Sequence, residues 1–126
     1  MFHLYQTDDG HELPFVYLPC AALTPKYGMA MAMSGGKLAV ASGAVKPEYI
    51  CAVECSSSVS AGTVIPAVRV DDDQRWRAET SASSFSVGTA YTLASTGLGV
   101  TTTSTSGVFT VDGLDTEDGY VYGRFL

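Results

Sequence analysis

The sequence predicts an all-β fold: a compact small β-barrel or sandwich of short antiparallel strands, preceded by an extended N-terminal arm. Three observations carry that expectation. From Tyr27 onward, apolar runs of five to eight residues alternate with Gly/Ser turns, the spacing of a sandwich or small barrel. Gly, Ser, Thr, Val and Ala dominate, Glu and Lys are scarce and Asn is absent, a mix that favours strands and turns over long helices. The best helical window, residues 21–32, is broken by Pro25 and Gly28. With 126 residues the chain has room for one domain and an arm, and 46% hydrophobic against 16% charged residues is enough apolar content to fold.

Residues 1–26 read as the arm. They hold two His, an acidic turn at Asp8-Asp9-Gly10 and one apolar run over residues 13–18, which Pro14 and Pro19 bracket. Proline lacks the N–H that a central strand needs, so the run suits an edge strand or a segment laid on another subunit. The alternative is an arm that folds back on its own domain.

Residues 27–126 read as a single β domain. Residues 27–33 alternate, Ser34-Gly35-Gly36 supplies a tight turn and residues 37–41 return, which predicts a hairpin. Met29, Met31 and Met33 fall on one face at period 2, where they fill core or interface rather than hold a soft metal. Lys46-Pro47-Glu48 is punctuation, and strands are expected over residues 49–54 and 63–70, with Pro66 demoting part of the second to an edge or bulge. After Asp71-Asp72-Asp73 come residues 74–80, a polar linker over 81–86, and strands over 90–94, 98–103, 108–111 and 120–125. Residues 27–70 and 90–126 echo each other in the order of runs and turns, as two related β units would.

A net charge of −6 works against a bare phosphate backbone, so nucleic acid is not expected as a partner. No stretch reaches the roughly 18 apolar residues of a membrane span, and the first nine residues lack the pattern of a signal peptide. No membrane partner is expected. Three cysteines, odd in number, do not make a disulfide framework, and a reducing cytoplasm is the plainer setting.

No residue set amounts to a catalytic signature, and an enzyme is not expected. Cys51 and Cys55 would lie about 13 Å apart along one strand face, too far for a disulfide, and no Cys-x-x-Cys or neighbouring His makes a zinc site. His3 and His11 sit in an arm without the rigid support that triads and metal sites require. Asp71-Asp72-Asp73 and the group Asp112, Asp115, Glu117, Asp118 offer oxygen ligands without the helix-flanked calcium loop, and read as solvated acidic turns. Neither a cofactor nor a metal is expected. Arg75-Trp76-Arg77 puts the chain's one Trp on one strand face and two Arg on the other. Trp76 is then an interface anchor or a core anchor, with the Arg pair free for a partner or meeting nearby aspartates.

The runs Leu23-Thr24-Pro25-Lys26-Tyr27-Gly28-Met29-Ala30-Met31, Ser34-Gly35-Gly36-Lys37-Leu38, Lys46-Pro47-Glu48-Tyr49-Ile50 and Ala61-Gly62-Thr63-Val64-Ile65-Pro66-Ala67-Val68-Arg69-Val70 resemble the small head decoration, or capsid cement, proteins of tailed bacteriophages. The likeness is one of texture, spread over residues 23–125. It implies a compact β-rich homotrimer on the outside of the capsid lattice, bound to the major capsid protein and made in the host cytoplasm. The acidic and aromatic arm and the cysteines depart from that pattern. From the residues themselves, the expected contacts with capsid or sister subunit are Phe2, Leu4, Tyr5, Phe15, Tyr17 and Leu18 of the arm, with Arg75, Trp76 and Arg77. Deleting residues 1–19 is expected to abolish attachment and leave the domain folded. A tail or head-fibre module, and a small carbohydrate-binding or adhesive domain, are the alternative functions.

Overall fold

The computed structural model describes residues 1–8 and 15–126. Asp9, Gly10, His11, Glu12 and the start of the apolar run at Leu13-Pro14 lie outside the described residues. Among the described residues there are ten strands and no helix: β1 (Phe2–Thr7), β2 (Phe15–Pro19), β3 (Ala30–Ser34), β4 (Lys37–Val40), β5 (Tyr49–Cys51), β6 (Val64–Arg69), β7 (Gln74–Glu79), β8 (Ala90–Tyr91), β9 (Phe109–Asp115) and β10 (Tyr120–Phe125). They form two antiparallel sheets packed against each other, β1-β7-β10-β9-β8 and β2-β6-β5-β3-β4. The expected all-β class holds, as a sandwich rather than a closed barrel. The second sheet curls, because Cys20 just after β2 bridges Leu38 of β4, yet one bridge does not close it.

Period-2 alternation sorts the side chains. In the first sheet Phe2, Trp76, Ala78, Val121, Phe125, Phe109 and Val111 point inward and meet Ala30, Ile50 and Val68 of the second. The second sheet is buried on its other face too. There Met31, Leu38, Cys51, Ile65 and Ala67 pack under Leu23, Val53 and Val59 from the loops before β3 and after β5. Those loops are tied to each other by Val59 N–H to the Leu23 carbonyl and Cys55 N–H to the Pro25 carbonyl, both 2.9 Å. Short small residues therefore face one neighbour while Met and Cys face the other, which is why residues 29–33 alternate Met with Ala.

The hairpin β3–β4 turns at Gly35 and Gly36, with φ of 58° and 78°, and pairs Ser34 with Lys37 as expected. Gly123 of β10 is required by close approach: a Cβ there would collide with the Thr110 carbonyl oxygen and come within 2.8 Å of the Phe109 ring. Pro66 is a departure from expectation, since β6 lies inside its sheet between β2 and β5. Its carbonyl accepts a 3.0 Å bond from the Ala52 N–H, so its nitrogen faces that side as well, one residue past the end of β5. The missing donor therefore costs one bond only, at the point where β5 has already ended.

Two further departures concern the arm and residues 98–103. The described part of residues 1–26 is laid on its own domain: β1 pairs with β7 and β2 with β6, antiparallel in both cases. Phe2 is 1% exposed and its ring lies 5.0 Å from Phe125 and 5.6 Å from Phe109. Removing residues 1–19 would thus take a core residue and two edge strands with it. Residues 98–103 hold only the single Leu93–Val100 bridge, because Gly97 and Gly99 turn the chain before a ladder can form. Residues 27–70 supply β3 to β6 of one sheet, while residues 90–126 supply β8 to β10 of the other.

Candidate functional site: two exposed faces

The first exposed face is the outer edge of β2. Tyr17 lies opposite Pro66 in register, and Pro66 turns its nitrogen and carbonyl toward β5, so the pair is a non-hydrogen-bonded one. The backbone N–H and C=O groups of Phe15 and Tyr17 consequently point away from β6, toward the outer side of β2, where the Cys20–Leu38 bridge to β4 follows only past the strand's end. Phe15, Tyr17 and Val64 are 56%, 72% and 59% exposed. Phe15 and Tyr17 lie opposite Val68 and Pro66, on the face of the sheet that elsewhere meets its partner sheet. Beside them a narrow crevice lined by Phe2, Leu4, Phe15, Tyr27 and Val68 reaches Trp76. Apolar side chains beside unpaired main-chain groups are what strand addition uses.

The second face is the outer side of the first sheet, formed by the outward residues of β1, β7, β10 and β9. Arg75 is held between two tyrosines, its guanidinium carbon 5.2 Å from the Tyr5 ring centre and 4.9 Å from that of Tyr122. The two rings meet edge to face at 5.0 Å. A bulge in β9 adds Asp112 between Val111 and Gly113, which face Gly123 and Tyr122. It sends the Asp112 carboxylate to Arg75, at 2.7 Å from Nη2 and 2.8 Å from Nε. Gly113 beside it leaves room for the guanidinium, since a Cβ there would stand 3.0 Å from Arg75 Nη2. Arg77 stacks on Tyr120 at 4.5 Å, and His3 Nε2 lies 3.5 Å from Glu79.

At the end of this face Arg124 clamps Asp8 with two bonds, 2.8 and 3.2 Å, and reaches the Asp72 carbonyl at 3.0 Å. Hydrogen bonding to Asp8 raises its already high pKa further. The clamp joins the chain after β1 to the turn before β7, so the outer face is braced at that end of its strands.

The expected contact residues divide accordingly. Phe15 and Tyr17 stand exposed on the β2 edge, and Tyr5, Arg75 and Arg77 lie on the outer face of the first sheet. Phe2, Leu4, Leu18 and Trp76 do not serve as free contacts. Phe2 and Trp76, the latter 2% exposed, form the core between the sheets, Leu4 packs against it, and Leu18 packs on the Met/Cys side. Alternation places them inward, and the core takes them. Tyr120 and Tyr122 were not among the expected contacts, and Asp112, expected in a solvated acidic turn, is instead the partner of Arg75. The alternation of residues 120–125 signals the two tyrosines, whereas the β9 bulge that aims Asp112 has no clear sequence signature beyond Gly113.

Cys20, Cys51 and Cys55 are free thiols. Burial pushes the Cys20 and Cys51 thiols above their ordinary value, so they are held protonated. Among the described residues no group of three His, Cys, Asp or Glu is placed to hold a metal ion. No family model, no curated protein and no solved structure matches this chain.

Proposed function

We propose that this chain works by contact, as a structural virion protein that decorates a bacteriophage capsid by binding the outside of the major capsid protein lattice and stabilises it. The observation that carries the contact reading is the β2 edge, where Phe15, Tyr17 and Val64 stand exposed beside main-chain groups turned away from β6. Such an edge binds by main-chain hydrogen bonds, with the aromatic side chains as anchors. The capsid as partner rests on the resemblance of residues 23–125 to cement proteins, with which a compact antiparallel β sandwich is consistent. A carbohydrate-binding role is less well supported, because Tyr5 and Tyr122 already turn a ring face toward Arg75.

The test is quantitative mass spectrometry of purified particles of the phage whose genome encodes the chain. A copy number equal to the major capsid protein, or a simple fraction of it, is the expected result. A few copies per particle would move the chain to a tail or head fibre, and absence from particles would overturn the virion reading. Since residues 1–19 contribute to the core, attachment is tested with Tyr17→Ser and Phe15→Ser rather than by deletion.

A further inference from the structure

Three of the four arginines are matched by a carboxylate: Arg69 with Asp71 at 3.7 Å, Arg75 with Asp112 at 2.7 Å and Arg124 with Asp8 at 2.8 Å. Arg77 is not. Among the described residues no carboxylate lies within 4.0 Å of it, and its Nε is covered without a hydrogen-bond acceptor. Glu79, two positions along the same strand face, is engaged by His3 instead. Arg77 is nonetheless held in place: it stacks on Tyr120 at 4.5 Å and lies between His3 and Tyr122 in the cross-strand row.

We infer that Arg77 anchors a second interaction surface, which takes a single carboxylate side chain of a protein partner onto the outer face of the first sheet. A guanidinium fork offers two parallel donors that a carboxylate matches and a single hydroxyl or amide does not. Stacking on Tyr120 sets the fork before binding, so little side-chain freedom is left to lose. Charge selects the partner. Asp8, Glu79 and Asp112 lie on the same face and the chain carries −6 in total, so one spare cation suits one carboxylate, while a polyanionic backbone would meet repulsion on every side. Tyr5, Tyr120 and Tyr122 surround the spot with aromatic area of the kind that rings an interface anchor. This surface is separate from the β2 edge and does not depend on the capsid reading.

The experiment follows the arginine Nε–Hε signals of the 15N-labelled chain during titration with an end-capped pentapeptide that carries one glutamate among glycines, with its glutamine analogue as control. The Arg77 signal is expected to shift and saturate with the glutamate peptide alone, while the signals of Arg75 and Arg124 stay in place. Read from the backbone amide of Tyr122, which pairs with residue 77, Arg77→Gln should abolish binding, Arg77→Lys should weaken it about 10-fold by removing the fork, and Tyr120→Leu should weaken it several-fold by removing the stack. The amide spectrum of each variant reports that it remains folded. An equal shift at Arg69, or unchanged affinity in Arg77→Gln, would overturn the assignment. So would a shift of Arg77 that grows with protein concentration in the absence of peptide, since the carboxylate would then come from a second copy of this chain.

Discussion

The two hydrophobic clusters lie on opposite faces of one sheet and are built from different materials. Between the sheets the packing is aromatic: Phe2, Phe109 and Trp76 meet Phe125 at 5.0, 5.1 and 6.0 Å, all edge to face. On the far side it is Met, Cys, Leu and Ile under irregular loops. Two regular sheets offer fixed, flat walls, and rigid rings fill the space between them in defined geometries. Loops offer an uneven wall, and unbranched Met with small Cys fits it. The aromatic side should tolerate substitution poorly, and the sulfur side better.

The largest effect is expected at Phe125, which touches three rings. Phe125→Ala should cost about 3–5 kcal/mol, read by urea unfolding with emission of Trp76 as the probe. Gly123→Ala should cost about 2–3 kcal/mol by forcing Phe109 and the Thr110 carbonyl apart, although it adds only a methyl group. On the other side Met31→Leu should cost less than about 1.5 kcal/mol, and Met31→Ala should fall at the lower end of about 2–5 kcal/mol. If Met31→Ala cost as much as Phe125→Ala, the contrast between the two clusters would not hold.

The same contrast predicts a pH dependence. Burial raises the thiol pKa of Cys20 and Cys51, both on the sulfur side. The folded chain therefore keeps two protons that the unfolded chain releases above about pH 8.5. Their contribution is fully present below that range and is lost as pH rises toward and through the folded values. Stability should fall between pH 8 and 10 more steeply in the parent than in Cys20→Ala or Cys51→Ala, by up to about 1.4 kcal/mol per pH unit for each thiol. Equal slopes would mean that these thiols titrate alike in both states. Cys55, half-buried, should react with a thiol reagent first in the native protein.

How much of this was legible depends on whether one period or a tertiary contact decides a residue's place. The strand β10 coincides with the alternating residues 120–125, and the β3–β4 turn follows from two consecutive glycines. The strand β1 shows the same alternation, Phe2 and Leu4 inward with His3 and Tyr5 outward, but the register shifts between Leu4 and Gln6, and the acidic stretch after Thr7 resembles an arm. Leu18 reads as a contact, and Trp76 as either a contact or a core anchor, because an aromatic or apolar residue on a strand looks the same whether its face meets a core or a partner; the structure takes both inward. That Arg77 alone lacks a carboxylate was not legible at all. Asp71, Asp112 and Asp8 reach their arginines from 2, 37 and 116 residues away, and only the folded sheet shows which guanidinium is left over.

The smallest effect on stability is expected at the β2 edge, and it sharpens the comparison by adding a region that belongs to neither cluster. Phe15 and Tyr17 are exposed apolar side chains whose truncation removes little buried area. Phe15→Ser and Tyr17→Ser should each change unfolding free energy by within about 0.5 kcal/mol. If the edge is the contact that attaches the chain, each should nevertheless reduce the copies retained on particles, because an anchor is worth far more at an interface than in the free monomer. A loss of stability above about 2 kcal/mol would place these rings in the core after all. Full stability with unchanged attachment would leave the β2 edge without a role and move the contact to the tyrosine-and-arginine face of the other sheet.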